Sequence, residues 1–393
     1  MKMIGLLPQG GTGWIAGVIY THNLIRALQI LPKKERLDLC FLLGPGCDIK
    51  NHVELGNILP TIYHFTQLKE ISRQQKLRQL KKMVMGQSIS TSLKQLVKER
   101  KVQVLFPLQE SLGKDFPIPW IGWIPDFQHK RLPQFFSAEE LSSRDDCFQN
   151  LLNESAHAVV SSQDAYHDLQ HWFPSGQNKV SIFPFRSVPD NRWYEPSPEQ
   201  VVSHFGLPQK YLMFPSQFWV HKNHRMAFET IRLLKEKGCS DIALVCTGYT
   251  HDYRCPNHFV DLRTFLQQHN LMGHVHCLGL IPRLEQIQLM RAAVAVLQPS
   301  LFEGWSALVE DARVLGKRIY LSDIAIHREQ DPPEAILFDP HRPAELAEIF
   351  ARDWPSLCPG PDLRQESQAR ERQEKLILDF ARLFLKIVER ASA

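Results

Sequence analysis

The second half of the chain alternates short apolar runs with longer amphipathic segments, and this alternation restricts the fold more than any other feature of the sequence. The apolar runs, each of four to six residues, are Tyr211–Pro215, Ile242–Thr247, Val275–Leu278, Val294–Pro299 and Arg318–Ser322. The segments between them with helical periodicity are Asn223–Lys237, Phe259–His269, Leu284–Ala293 and Ala307–Leu315. Apolar strands that alternate with helices indicate βαβ units and a parallel sheet covered by helices on both faces.

The first half follows the same pattern less regularly. Its predicted strands are Met3–Pro8, Leu37–Leu43, Val102–Pro107, Trp120–Ile124, Ala158–Ser161 and Lys179–Phe183. Its predicted helices are Ile15–Leu31, Ser88–Arg100, Ala138–Asn153 and Asp164–Phe173. Because 393 residues are too many for one ordinary hydrophobic core, the sequence predicts two domains. The linker is placed at Pro184–Gln200, which contains four prolines, and the tail Asp362–Ala393 is predicted to be one long helix.

The composition argues against several classes of protein. The eight cysteines contain no C-x-x-C pair, so neither a zinc site nor a disulfide scaffold is expected, and a reducing cytoplasm is the simplest location. A formal charge of +4 is mild and does not by itself imply nucleic-acid binding, which calls for a strong basic stripe with interleaved aromatics, so no nucleic-acid partner is expected. No stretch approaches about 18 uninterrupted apolar residues, so no membrane span is expected.

The strongest candidate for a ligand site runs from the end of the fourth apolar run into the helix after it. Glu303 lies in this loop, where folding alone gives little reason for a carboxylate, and Gly304 allows a ligand to approach the backbone. Ser306 can cap the helix and leave the N–H groups of Ala307 and Leu308 for a ligand. A helix start of this kind suits an anion such as a diphosphate. An ordinary solvated turn with an N-cap explains the pattern equally well.

This segment resembles the E-x7-E signature of the GT4 family of retaining glycosyltransferases, which have the GT-B fold. The eighth residue after Glu303 is Asp311, where the family has glutamate, and the neighbouring Glu310 stays a rival. The resemblance implies that Glu303 contacts the donor sugar and that the second carboxylate binds the ribose hydroxyls. It also implies that loop amides hold the sugar and the diphosphate, namely those of Gly304, Trp305, Ser306, Ala307 and Leu308.

A second match lies between the first strand and the first helix of the second half. The family has an arginine and a lysine here, five residues apart, and both reach the diphosphate. Lys222 matches the lysine, whereas Gln217 stands at the arginine position. Glutamine donates hydrogen bonds but carries no charge. A solvated lysine is the alternative for Lys222, although a cation is unfavourable at the start of a helix.

Two further loops follow strands of the first half. Gly11, Thr12 and Gly13 come directly after the first strand, without the G-x-G-x-x-G spacing of a dinucleotide site. The resemblance implies that they help to hold the donor, and a tight turn is the alternative. His129 lies near the position of a family histidine that faces the donor sugar. A histidine satisfied in the core or at the surface is the common alternative.

Together these matches imply an α/β protein of the GT-B fold, in which two Rossmann-like doubly wound domains face a central cleft. The acceptor domain is expected at 1–190, the nucleotide-sugar donor domain at 191–365, and a helix at 366–393 that crosses back to the first domain. The implied catalytic residues are His129, Lys222 and Glu303.

The implied reaction moves a hexose-type sugar, with retention and without metal or cofactor, from a UDP-, GDP- or dTDP-sugar to a hydroxyl of a glycan, lipid or small metabolite. Two alternatives stay open. One is a nucleotide-sugar epimerase of the same fold, and the other is a non-catalytic sugar-binding module, which the glutamine at position 217 would favour.

The segment Lys69–Lys101 is strongly basic, with ten Lys or Arg residues and two Glu residues. Apolar residues are interleaved with the charges, which predicts basic amphipathic helices. A solvated helical face is the favoured interpretation. Docking on anionic lipid headgroups, and hence a peripheral position at the inner face of a membrane, is the alternative.

Overall fold

A computed structural model describes residues 3–11, 13–44, 47–65, 92–195 and 197–393. The chain divides into two compact units. The first unit consists of Met1–Phe127, Ala138–Arg186 and Ile377–Ala393, and the second consists of Gln128–Ser137 and Ser187–Leu376.

The described part of each unit contains one sheet. The strands of the first unit are β1 (Met3–Leu6), β2 (Asp38–Leu43), β3 (Thr61–His64), β4 (Val104–Leu108), β5 (Trp120–Ile124), β6 (His157–Val160) and β7 (Val180–Ile182). Those of the second unit are β8 (Leu212–Pro215), β9 (Leu244–Thr247), β10 (Val275–Cys277), β11 (Ala295–Gln298), β12 (Ile319–Ser322) and β13 (Ile336–Phe338).

The α-helices of the described residues are α1 (Ile15–Ile30), α2 (92–99), α3 (Gln128–Arg131), α4 (Ala138–Glu154), α5 (Gln163–Trp172), α6 (Pro198–His204), α7 (His224–Glu236), α8 (His258–Gln268), α9 (Arg283–Ala292), α10 (Ala307–Val314), α11 (Ala325–Gln330), α12 (Pro343–Asp353) and α13 (Leu363–Ser392). The first residues of α13 belong to the second unit and its remainder to the first.

Both sheets are parallel and doubly wound. The strand order is β3-β2-β1-β4-β5-β6-β7 in the first unit and β10-β9-β8-β11-β12-β13 in the second. In the second unit, successive residues of a strand face opposite sides of the sheet and join two separate apolar cores. Leu212 and Phe214 pack in one core, and Tyr211 and Met213 in the other. Because all strands of this sheet are parallel, their carboxyl ends share one edge, where ligands bind in such sheets.

All eleven strands predicted from the sequence are present, with ends that differ by at most two residues. β3 and β13 were not predicted. β3 has no fully buried residue, and β13 has one, at its last position. Four helices (α3, α6, α11 and α12) were not predicted either.

Part of the predicted linker Pro184–Gln200 is regular structure. Proline is tolerated in the first turn of a helix, and α6 begins at Pro198. Trp193 is buried in a core of the second unit, and Nε2 of Gln288 donates a hydrogen bond to its carbonyl oxygen at 2.7 Å. Trp193 and the start of α6 are therefore packed against the second unit rather than part of a free connection.

Most of the basic segment Lys69–Lys101 lies outside the described residues, which resume at residue 92 with α2. Within the part of the chain that the structure describes, no helix is long and apolar enough to cross a membrane.

Candidate active site

The loops after the strands of the second unit bring charged side chains to one edge of its sheet. Lys222 follows β8, and Arg283 follows β10. Glu303 lies between β11 and α10, and His327 lies on α11 after β12. Because parallel strands end at the same edge, residues far apart in sequence meet there.

Lys222 and Glu303 form an ion pair at this edge. The distance from Nζ of Lys222 to Oε1 of Glu303 is 2.6 Å, and the two side chains are only 15% and 8% exposed. The neighbouring Asn223 helps to fix the position of Lys222. It adopts a left-handed conformation with φ of 64°, which asparagine tolerates, at the turn between Lys222 and α7. Its side-chain amide donates to the carbonyl oxygens of Pro299 and Pro340, so the Lys222 loop is tied to the loops after β11 and β13.

The two carboxylate oxygens of Glu303 differ in the hydrogen bonds that they accept. Oε1 accepts three hydrogen bonds, from Nζ of Lys222 at 2.6 Å and from Nε2 of Gln298 and Oγ of Ser300 at 2.7 Å each. Oε2 accepts no hydrogen bond from any residue that the structure describes. The first oxygen is therefore held by the protein, and the second remains available to a hydroxyl of a ligand.

Glu303 carries a negative charge at neutral pH. Burial alone would raise its pKa, but the Lys222 ammonium and hydrogen bonds from Lys222 and Ser300 hold the pKa below its usual value. Burial lowers the pKa of nearby His327, despite the opposing effect of Glu303, so this imidazole is neutral. Its Nδ1 donates to the carbonyl oxygen of Ser322 at 2.8 Å, since a carbonyl can only accept.

The start of α10 is capped as predicted. The backbone N–H of Val309 donates to Oγ of Ser306 at 3.3 Å. The N–H groups of Ala307 and Leu308 have no hydrogen-bond partner among the described residues. These donors and the positive end of the helix dipole lie a few residues after Glu303, an arrangement that suits an anionic group.

Glu310 and Asp311 point to different neighbours. Asp311 accepts hydrogen bonds from Oγ of Ser187 at 2.7 Å and from the guanidinium of Arg283 at 2.5 Å. Glu310 is fully buried, and its Oε1 accepts from Nε2 of Gln330 at 3.2 Å. Successive helical residues point about 100° apart, which accounts for the separation.

Gln217 lies in the loop after β8, against the turn that follows β9. Gly248 in that turn has a φ of 141°, and a Cβ there would lie 2.4 Å from the carbonyl oxygen of Ser216. Only glycine permits this close approach. Asp252, farther along the same loop, accepts from the backbone N–H of Val220 at 3.1 Å, which fixes the Lys222 loop from a second side.

His129 is buried on α3, which belongs to the second unit. Its helix neighbour Gln128 accepts a hydrogen bond from Arg254 at 2.8 Å, and Arg254 also contacts Nδ1 of His221 at 3.4 Å. The residues next to His129 and Lys222 are thus joined through one arginine, which sequence reasoning did not identify.

The glycine loop belongs to the first unit. Gly11 forms an isolated bridge with Trp14, Gly13 is exposed, and Thr12 lies outside the described residues. The roles predicted for these glycines stay predictions.

Several polar residues at the site were not singled out from the sequence. Gln298, Ser300, Ser322 and Gln330 are buried beside Glu303 and Ser306. No three His, Cys, Asp or Glu side chains are grouped to hold a metal ion in the described ranges. Independence of metal stays a prediction.

No family model matches the chain, and no curated protein matches it in sequence. Solved structures do match. HepE of Anabaena, in complex with UDP and glucose, is 14% identical over 99% of both chains with a TM-score of 0.70. Sucrose-phosphate synthase of Thermosynechococcus elongatus is 15% identical over 99% of this chain and 100% of that chain, with a TM-score of 0.70.

A third match is a UDP-forming α,α-trehalose-phosphate synthase of Burkholderia xenovorans, 12% identical over 100% of both chains, with a TM-score of 0.66. The chain has the GT-B fold. The fold class predicted from the sequence is therefore confirmed, including the two parallel, doubly wound sheets.

Proposed function

We propose that this protein is a retaining glycosyltransferase that moves a hexose-type sugar from a nucleotide-diphosphate sugar to an acceptor hydroxyl. The observation that carries the proposal is the buried Lys222–Glu303 pair beside the open start of α10. A cation, a carboxylate with one unused oxygen and two unpaired N–H groups together match the phosphates and hydroxyls of such a donor. The GT-B fold shared with UDP-bound HepE is consistent with this function.

In the proposed reaction the bond between the anomeric carbon and the diphosphate breaks, and a bond to the acceptor oxygen forms on the same face. The acceptor proton passes to the departing phosphate oxygen. Lys222 and the N–H groups of Ala307 and Leu308 stabilise the charge that develops on the leaving group, so that no metal is required. Oε2 of Glu303 accepts a sugar hydroxyl and orients the ring, and His129 faces the donor sugar.

The nucleotide is proposed to be UDP. The neighbours include HepE in complex with UDP-glucose and a trehalose-6-phosphate protein of E. coli bound with UDP-2-fluoro glucose. The acceptor is a hydroxyl of a glycan, lipid or small metabolite.

A panel of UDP-, GDP- and dTDP-sugars tests the proposal by thermal unfolding. A ligand that binds only the folded protein stabilises it, by about 2.7 kcal/mol at a concentration 100 times its Kd. We expect a rise in Tm with UDP-glucose and UDP that is larger than with GDP-mannose or dTDP-glucose. A Tm unchanged by every nucleotide and nucleotide sugar of the panel contradicts the proposed function.

Two alternatives are separated by turnover. A nucleotide-sugar epimerase would convert its donor at full rate without an acceptor, whereas a transferase requires one. A sugar-binding module would bind UDP-glucose without turning it over. The buried Lys222–Glu303 pair favours the transferase over the binding module, although glutamine at position 217 removes one cation.

Contact with a membrane through Lys69–Lys101 stays a prediction from the sequence, as does a cytoplasmic location. If this segment docks on anionic lipids, binding to phosphatidylserine vesicles should fall steeply between low and physiological salt. Replacing Lys81 and Lys82 by Glu should weaken binding to these vesicles at a given salt concentration, without changing hydrolysis of a soluble nucleotide sugar. Absence of vesicle binding at low salt would leave the segment as a solvated face.

A further inference from the structure

Gln298 is a buried polar residue at the end of an apolar strand. It is 1% exposed, and the three residues before it in β11 are the apolar Ala295, Val296 and Leu297. A buried amide destabilises the fold unless its donor and its acceptor are both hydrogen-bonded. An apolar side chain would satisfy the packing of the strand alone, so the amide requires another explanation.

The two ends of the Gln298 amide contact two parts of the candidate site. Its Nε2 donates to Oε1 of Glu303 at 2.7 Å, and its Oε1 accepts from Oγ of Ser306 at 2.7 Å. The carboxylate can only accept, and the hydroxyl uses its single hydrogen on Gln298, so the orientation of the amide is determined.

Ser306 is held on all sides. Its Oγ accepts the N–H of Val309 as the N-cap of α10. Its own backbone N–H and carbonyl oxygen are both bound by the side-chain amide of Gln330, at 3.1 and 3.0 Å. Gln298 therefore links Glu303 to a fixed point at the start of α10.

We propose that Gln298 is a positioning residue that couples the sugar-binding carboxylate of Glu303 to the phosphate-binding start of α10. The proposal rests on the proposed function, because it assigns the sugar to Glu303 and the diphosphate to α10. One side chain then sets the position of the groups that bind the two halves of the donor. Fixing both in advance lowers the cost of ordering them when the donor binds.

The test compares a nucleotide with its sugar conjugate. UDP contacts only the phosphate side of the site, whereas UDP-glucose also reaches Glu303, and Kd is measured for both by calorimetry. Gln298→Met keeps the volume and removes the hydrogen bonds to Glu303 and Ser306, together with a longer one of 3.5 Å to Oγ of Ser300. We expect the Kd for UDP-glucose to rise about tenfold or more, because a hydrogen bond to a charged group is lost. The Kd for UDP should rise about threefold, because the cap of α10 is loosened.

Ser306→Ala, Glu303→Gln and the double variant of Gln298 and Ser306 complete the comparison. Glu303→Gln should raise the Kd for UDP-glucose and leave the Kd for UDP unchanged. Because Gln298 acts on α10 through Ser306, the loss of UDP affinity in the double variant should be smaller than the product of the single losses. If Gln298→Met leaves both Kd values unchanged, or weakens UDP-glucose alone, the coupling is refuted.

Gln288→Met is the matched control. Gln288 is equally buried, and its amide also bonds at both ends, to the Trp193 carbonyl at 2.7 Å and to Arg291 at 2.9 Å. It lies on α9 and contacts neither Glu303 nor Ser306. We expect a comparable loss of stability and unchanged Kd values for UDP and UDP-glucose. Equal losses of affinity in the two variants would indicate general destabilisation and overturn the proposal.

Gln298→Glu provides a second measurement if the methionine variant does not fold. Two adjacent buried carboxyls share one proton with a raised pKa, and that proton restores the hydrogen bond to Glu303 as the pH falls. The affinity of this variant for UDP-glucose should recover between about pH 7 and pH 5, while that of the wild type stays flat. A parallel response of the two proteins overturns the proposal. Failure of the wild type to bind any nucleotide of the panel contradicts the proposed function instead.

Discussion

Lys222→Ala is expected to lower kcat/KM for the nucleotide sugar. The loss of transition-state stabilisation should be about 2–4 kcal/mol, the scale found when one preorganised hydrogen-bond donor to a transition state is removed. With glutamine at position 217, Lys222 is the cation that directly faces Glu303 in the described structure. The diphosphate leaving group would then depend on uncharged donors, the N–H groups of α10 and the side-chain amide of Gln217. Steady-state kinetics with the donor identified by the nucleotide panel measures the change.

The pH dependence of the same variant is expected to change as well. In the wild type, Lys222 outweighs burial and holds the pKa of Glu303 below its usual value. Without Lys222, burial dominates and raises this pKa, so the acid limb of kcat/KM moves to higher pH. The stability contribution of the pair in the wild type is present above the unfolded-state pKa and is lost as the pH falls through the lowered pKa. The stability gap between the two proteins should therefore narrow in acid.

Lys222→Arg and Lys235→Ala serve as controls. The arginine keeps the charge next to Glu303 and should keep the low pKa of that carboxyl, although its planar group does not reproduce the ammonium geometry. Lys235 is a half-buried lysine on α7, and its Nζ donates to the carbonyl oxygen of Asn270. Its replacement should leave kcat/KM unchanged. Turnover of Lys222→Ala near the wild-type rate would remove Lys222 from the catalytic machinery.

The strands that position the site could be predicted because their burial leaves a local mark. β8, β9, β11 and β12 are buried along their whole length, so each appears as an apolar run in the sequence. β3 and β13, by contrast, are not buried along their length: β3 has no fully buried residue and β13 has one. Glu303, Lys222 and Ser306 were predicted because each follows one of the buried strands, where a charge or a cap has few structural explanations.

The partners of these residues could not be predicted, because they depend on contacts between distant segments. Lys222 and Glu303 are 81 positions apart, and Ser187 and Asp311 are 124 positions apart. Gln298 looks in the sequence like an ordinary polar residue at a strand end. Its importance follows only from its distances to Glu303 and Ser306.

The placement of His129 shows the same limit. The sequence puts it in the range of the first domain, 1–190, because it follows the strand Trp120–Ile124. Residues 128–137 belong to the second compact unit, although the chain on either side of them belongs to the first. Sequence order gives no signal of such an exchange.

Which of Glu310 and Asp311 binds the ribose is expected to show in how each substitution changes the affinity for the nucleotide sugar. Glu310 accepts from the same Gln330 amide that binds Ser306, so it supports the cap of α10. Asp311 instead faces Arg283, the first residue of α9 after β10, at the ligand-binding edge of the sheet. We therefore expect Asp311 to bind the ribose hydroxyls and Glu310 to have a structural role.

Asp311→Asn should raise the donor KM tenfold or more, because a hydrogen bond to a charged group contributes about 1.5–3 kcal/mol. Glu310→Gln should change the KM less than about threefold, since the amide still accepts a hydrogen bond from Gln330. Asp311→Asn also weakens the ion pair with Arg283, whose side chain is 16% exposed, so some loss of stability is expected.

Comparison of UDP with 2′-deoxy-UDP separates the ribose role of Asp311 from this loss of stability. If Asp311 accepts the ribose hydroxyls, the wild type prefers UDP, and Asp311→Asn loses most of that preference because its amide is a weaker acceptor than the carboxylate. A purely structural effect would weaken both nucleotides by the same factor and leave their ratio unchanged. If Glu310→Gln abolishes the preference and Asp311→Asn keeps it, the ribose carboxylate is Glu310, and Asp311 serves only to hold Arg283 and Ser187 in place.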